Sequence, residues 1–296
     1  MLTLKHPDGN QPEDFHLSRR GLGLSIFAGY AVAALAANAD PIVTDDTGLV
    51  TETVQLPTAG QSIRGYIARP KASGRFPAVL VINEVFGLHA YIMDICRRLA
   101  KLGYVAIAPG FFDRAGDPAP LSDFGAIMKI VAAASDQQVL GDIGTTLKFL
   151  GAQDYVDADK RAVTGFCWGG RFVWDACENF PDFKAGVSWY GPLAPNPGAP
   201  ADPTKDWPID HVADLHCPVL GLYGGKDPLS QAVPAMRDAL TKAGKTGSNI
   251  ITYADAGHGF HADYRASYVA ADAQDGWRRL LAFFSVNGVL PRPFRA

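Results

Sequence analysis

The sequence predicts an α/β protein with a mostly parallel central sheet and helices on both faces, and three observations predict it. Continuous apolar runs such as "FPAVLVINEVFG" and "YVAIAPG" close in turn residues, as strands buried on both faces do. Segments with apolar residues at helical spacing alternate with these runs, and strands joined by helices lie side by side in parallel. Finally, 296 residues at 48% hydrophobic and 19% charged supply a core large enough for one such domain and argue against global disorder.

The amino terminus stands apart from that pattern. Polar residues up to Phe15 precede Arg19 and Arg20, then an Ala- and Gly-rich apolar run that ends in Ala37-Asn38-Ala39. Charged, apolar and small-residue segments in that order form an export signal over residues 1–39, with cleavage after Ala39. The paired arginines after Ser18 resemble a twin-arginine address for folded cargo, although Gly23 and Leu24 replace its bulky-then-polar continuation. The expected location is therefore outside the cytoplasm, in the periplasm. A cytoplasmic protein or a membrane anchor is the alternative, and the run is barely long enough to span a bilayer. No stable membrane span is expected in the mature form, and the folded domain is expected over residues 40–296.

"TETVQLPT" and "SIRGYIARP" alternate and read as a hairpin around Ala59-Gly60-Gln61. The buried strand from Phe76 follows, then the helix "AYIMDICRRLAKLG", stopped by Gly103, then the strand from Tyr104. Two helical stretches, 123–135 and 137–153, lead to the strand "RAVTGF". After it come helix "GRFVWDACENF", strands "AGVSWYG" and "PVLGLYGG", helix "AVPAMRDALTKAG", strand "NIITYAD" and a closing helix over 270–287. The Pro-rich stretch 191–208 is the longest irregular segment. A domain boundary there would split one sheet, so it reads as a surface excursion or lid.

A net charge of −3 with no basic stripe excludes nucleic acid and anionic membrane surfaces as natural partners. Cys96, Cys167, Cys177 and Cys217 have no CxxC spacing and are too few for a disulfide scaffold. No HExxH or comparable ligand set supports a metal site; His258-x-x-His261 and the pair His211/His216 are the nearest approach to one. Without a CxxC or a dinucleotide-binding glycine loop, a thiol oxidoreductase has no support either, and no cofactor is implied.

One motif carries chemistry. "TGFCWGG" places Cys167 between Gly165 and Gly169, at the turn between a strand and a helix. In such an elbow the central residue is pushed out above the sheet edge, and the small residues two before and two after prevent clashes. The helix amino terminus just beyond favours a thiolate, and the Trp168 N–H is a natural oxyanion donor. A nucleophile needs a base, and the base an orienting carboxylate. "LYGGKDP" puts Asp227, and "YADAGHGF" puts His258, at the same carboxyl edge of the sheet. Asp255 and Asp263 are expected to be solvated loop residues. His89, His211, His216 and His261 lack the strand-end context of His258. Cys96, Cys177 and Cys217 read as core residues.

"GFCWGG", "GGKDP" and "AGHGF", with "INEVFG" near the start, resemble the dienelactone hydrolase (carboxymethylenebutenolidase) family of α/β-hydrolases, and the likeness runs from about Thr51 to Leu290. The resemblance implies an ester or lactone hydrolase acting on small molecules, with Cys167 as nucleophile, His258 as base and Asp227 as its orienter. It implies that Glu84 contacts the resting thiol, and that Val85 supplies the second oxyanion N–H. Family members acting on dienelactone hold its carboxylate with arginines. Here Ala262 stands where one of these would fall, and Arg265, Arg114 and Arg171 are the other positive groups. Phe86, Tyr190 and Trp189 are candidates to line an apolar pocket, with Phe86, Tyr190 and Arg114 taken as substrate-binding. An exported, non-catalytic binding protein on the same fold is the alternative function.

Overall fold

The structure, a computed structural model, describes residues 41–195 and 205–294. The expected export signal and the middle of the Pro-rich stretch lie outside the described residues. Eight strands form one sheet in the order β1-β2-β4-β3-β5-β6-β7-β8. Strands β1 (Leu49–Leu56) and β2 (Ile63–Pro70) pair as the expected antiparallel hairpin, and β2 is antiparallel to β4 (Val105–Pro109). From β4 onward every pairing is parallel, through β3 (Phe76–Ile82), β5 (Val156–Phe166), β6 (Phe183–Trp189), β7 (Val219–Gly224) and β8 (Asn249–Tyr253).

Strand β3 shows why the apolar runs are continuous rather than alternating. Successive side chains point to opposite faces. Ala78, Leu80 and Ile82 join one apolar layer and Val79 and Val81 the other. The first layer is closed by α2 (Phe124–Ala133), α3 (Asp136–Gly151), α4 (Trp168–Asn179) and α5 (Val233–Lys242), the second by α1 (Ala90–Lys101) and α6 (Ala270–Val286). Among the described residues no helix is long and apolar enough to cross a membrane.

One feature differs from the sequence reading. Strand β5 begins at Val156, well before "RAVTGF", because its polar first half pairs with Phe76 and Pro77 ahead of a register shift. The stretch after β6 is pinned at both ends. The Ile209 N–H donates to the Leu193 carbonyl at 3.2 Å, and Arg171 holds Asp136 and the Asp206 carbonyl. Strand β3 continues to β4 on one side of the sheet, while β5 to β8 extend on the other. The chain thus changes direction between β3 and β5. In open α/β sheets the crevice beyond the carboxyl ends at such a point is where ligands bind.

Candidate active site

Cys167 occupies that crevice, between the end of β5 and the start of α4. Its backbone sits at φ 54° and ψ −120°, a strained conformation for a residue with a side chain. The surroundings hold it there: its N–H donates to the Trp189 carbonyl at 2.9 Å, and its own carbonyl accepts from the Gly170 N–H at 2.9 Å. The flanking glycines are needed for clearance. A Cβ on Gly169 would lie 2.5 Å from the carbonyl oxygens of Ile82 and Asn83, and one on Gly165 would run into the Gly169 carbonyl. The Ser188 hydroxyl braces the first turn of α4 by donating to the Gly170 carbonyl at 2.8 Å.

Asp227 follows β7 and caps a short 3-10 helix, Pro228–Ala232, that the sequence did not suggest. Its Oδ1 accepts the Leu229 N–H at 2.9 Å, which leaves Oδ2 for His258 Nδ1 at 2.8 Å. His258 lies just beyond β8. Burial opposes its charge, but hydrogen bonding to Asp227 and to the Cys167 sulfur pushes its pKa up to about 10. The three side chains expected at the sheet edge are therefore brought together. The Tyr190 ring stands edge-on to the imidazole, centroids 5.1 Å apart.

Glu84 lies two residues beyond β3 and is fully buried. A buried carboxylate is costly without partners, and it has three. The Tyr264 hydroxyl donates to Oε2 at 2.6 Å, His89 Nε2 lies 3.5 Å from Oε2, and Arg265 Nη1 lies 3.8 Å from Oε1. Burial works against ionisation, yet the His89 hydrogen bond and the Arg265 charge hold the carboxyl below its ordinary value. The polar partners that the structure gives Glu84 are these three groups. Tyr264 lies 180 positions from Glu84, and His89, five residues on, lacks the strand-end context that marks His258.

Val85 lies in the turn where the Glu84 carbonyl accepts the Gly87 N–H at 3.0 Å. Trp168 is the first residue of α4, where an N–H has no intrahelical acceptor. The Trp168 ring packs on Phe112 and Phe172, centroids 4.7 and 4.5 Å away. Phe86 is half-buried beneath the Arg265 guanidinium, which lies 5.7 Å over its ring.

Other sequence expectations fare differently. Arg114 borders a cavity of about 260 Å³ with Phe111, Phe112 and Gln138, but its guanidinium is bidentate on Asp142, both contacts 2.8 Å, and also reaches Thr58. Of the two arginines, Arg265 is the one whose charge acts on Cys167. Trp189 is core: it is fully buried and stacks on Phe166. Asp263 is buried, not solvated, because Arg98 reaches it at 2.5 Å from α1. Asp255 is exposed, with Lys226 at 2.7 Å. His261 turns away from His258 to meet the Tyr91 hydroxyl at 2.6 Å, and burial with the Arg98 charge drives its pKa well down, so it stays neutral. Among the described residues no three His, Cys, Asp or Glu side chains gather as metal ligands. Burial pushes the Cys96 and Cys177 thiols up, and Cys217 is buried as well.

Comparison with known proteins places this geometry among relatives. The model of the dienelactone hydrolase family matches residues 63–287. A Methylorubrum extorquens protein named "Putative carboxymethylenebutenolidase" is 42% identical over 281 residues, covering 92% of this chain and 94% of its own. A Bradyrhizobium protein named "Probable 2-oxo-3-(5-oxofuran-2-ylidene)propanoate lactonase" is 31% identical, covering 79% of this chain and 96% of its own. The crystal structure titled "Putative Dienelactone Hydrolase" from Klebsiella pneumoniae superposes with a TM-score of 0.75 at 42% identity, covering 80% of this chain and 98% of that one.

Proposed function

We propose that this chain, which belongs to the dienelactone hydrolase family, hydrolyses carboxylic esters or lactones by acyl transfer through Cys167, His258 and Asp227. A carboxymethylenebutenolidase-like hydrolase is what the family membership gives; the thiol mechanism is our reading. It rests on one observation: a cysteine held in a strained, glycine-cleared elbow opposite a histidine that is itself fixed by a buried carboxylate. An inert cysteine has no need of that conformation.

The Cys167 thiolate attacks the carbonyl carbon, and the Trp168 and Val85 N–H groups receive the oxyanion. His258, protonated and held by Asp227, gives its proton to the departing alkoxide as the thioester forms. It then takes a proton from water, which attacks the thioester and releases the acid and the thiolate. In a lactone the leaving alkoxide and the acid end on one product molecule. Phe86 and Tyr190 wall the substrate. Arg114 is held by Asp142 at 2.8 Å, whereas Arg265 lies 3.8 Å from Glu84, so a substrate carboxylate would share Arg265 with Glu84. The lactonase name of the Bradyrhizobium relative supports including lactones.

The test is hydrolysis of a panel of p-nitrophenyl esters and lactones by wild type and Cys167→Ala. Wild type is expected to turn over members of the panel and Cys167→Ala to lose at least a thousandfold, roughly what removing a triad nucleophile costs. Equal activity in both would end the proposal. Export through the amino-terminal signal is proposed on sequence grounds alone, and amino-terminal sequencing of secreted protein is expected to begin at Asp40.

A further inference from the structure

Tyr190 combines two features that packing alone does not require. It follows β6 with φ at 41°, the left-handed region that a bulky residue occupies only when its surroundings force it. Its backbone is locked beside the elbow: its N–H donates to the Leu222 carbonyl at 2.8 Å, and the preceding Trp189 carbonyl accepts the Cys167 N–H at 2.9 Å. The ring is fully buried, with Phe260 at 5.5 Å and His258 at 5.1 Å between centroids. A phenylalanine would make the same ring contacts.

The hydroxyl is the second feature. It is buried, and among the described residues it makes no hydrogen bond. Buried polar groups are nearly always paired, and an exception calls for a role. Glu84, Arg265, Tyr264 and Cys167, all members of the site, are among the charged and titratable groups that act on it, and Tyr91 is another. Burial, then the Glu84 charge, drives its pKa far up, so it is a donor and never a phenolate at working pH. Neighbouring Tyr264 shows the contrast, because its hydroxyl is already given to Glu84.

We propose that the Tyr190 hydroxyl is a catalytic hydrogen-bond donor, kept without a protein partner so that it donates to an oxygen of the ester group bound at Cys167. The inference rests on the ester-hydrolase reading above and extends it. A donor that finds its acceptor only in the bound or reacting state favours that state and costs nothing to reorganise. The strained backbone at φ 41° accompanies a ring held 5.1 Å from the imidazole, on a residue whose predecessor's carbonyl accepts the Cys167 N–H.

The experiment is Tyr190→Phe, which keeps the ring and removes one oxygen. Its kcat/KM on p-nitrophenyl acetate is expected to fall about 100-fold, the lower end of the loss for one oxyanion donor. Its Tm is expected to equal or exceed that of wild type, because an unpaired buried hydroxyl is gone. Alkylation of Cys167 by iodoacetamide is expected to stay within twofold of wild type across pH, since the hydroxyl acts on substrate and not on the thiol. A kcat/KM within twofold of wild type would overturn the inference. So would a fall in kcat/KM accompanied by a lower Tm and slower alkylation, the signature of a structural role. Cys167→Ala measured in parallel separates the two readings. If it retains wild-type activity the hydrolase mechanism fails, whereas a Cys167-dependent activity untouched by Tyr190→Phe removes the tyrosine inference alone.

Discussion

Replacing Gly169 with alanine places a methyl group 2.5 Å from the carbonyl oxygens of Ile82 and Asn83, where real contacts do not fall below 3.0 Å. Both obstacles are backbone, so relief requires α4 to move from β3 by about 0.5 Å, the difference between those two distances. Overpacking of this kind costs about 1–3 kcal/mol. Alanine returns up to ~1 kcal/mol through its helix propensity. The net loss of about 1–2 kcal/mol corresponds to a Tm lower by roughly 2–8 °C for a domain of this size. The shift also separates Cys167 and Trp168 from Glu84 and Val85, which lie in the turn just beyond β3. A misplacement near 1 Å costs about 10²-fold in rate, so kcat/KM is expected to fall about 10- to 100-fold. Gly141→Ala is the control, because that exposed position in α3 has nothing within 4 Å of its new Cβ. It is expected to gain about 0.5–1 kcal/mol with unchanged activity. Differential scanning calorimetry and ester hydrolysis read both. A Gly169→Ala protein as stable and active as wild type, beside a stabilised Gly141→Ala, would refute the tight packing of the elbow on β3.

Asp263→Ala leaves Arg98, which is largely buried, without one of its two carboxylates, Asp94 at 2.7 Å being the other. Breaking a buried pair costs about 3–5 kcal/mol, and with Asp94 retained the lower end is expected by urea denaturation. A loss under about 0.5 kcal/mol would match a solvated aspartate instead. Stability is also expected to fall as pH rises toward 9. Burial is the largest cause that raises Asp175 to about 8 and Glu178 to about 9; the charges of Asp136 and Asp206 add to it at Asp175, and those of Asp175, Asp214 and Asp206 at Glu178, while Arg171 opposes both shifts. The folded state therefore holds protons that the unfolded state has released above about pH 4, and loses that advantage as pH passes the folded values. Thermal melts of Asp175→Asn/Glu178→Gln are expected to be flatter between pH 6 and 9 than those of wild type. Parallel curves would show that these carboxyls titrate normally.

The residues proposed to carry the chemistry were readable as neighbours at one sheet edge because each sits in a short, local pattern. Glycines two before and two after Cys167 announce an elbow, and strand-end turns announce Asp227 and His258, since both signals depend on neighbours in sequence. The surroundings of Glu84 were not readable. Tyr264 lies 180 positions away from it and Arg98 lies 165 from Asp263, and no local periodicity encodes such pairs. Asp263 reads as a loop acid because it lies close to His258 in sequence, and only the packing of α1 against the segment after β8 buries it. Arg114 likewise offers a free positive charge on paper, and Asp142, on the next helix but one, claims it in the fold.

By itself the sequence determined the layered α/β class, the hairpin followed by parallel strands, the elbow at Cys167 and the edge of the sheet where His258 and Asp227 stand. Apolar period, turn residues and glycine spacing are local properties, and they act before the chain has closed on itself. The tertiary structure decided which charges are free and which are engaged. It gave Glu84 to Tyr264, His89 and Arg265, gave Arg114 to Asp142, and left the buried Tyr190 hydroxyl without a hydrogen-bond partner among the described residues. Such pairings depend on distances between elements far apart in the chain, and those are set only when the sheet brings β3, β5, β6 and the segment after β8 to one edge.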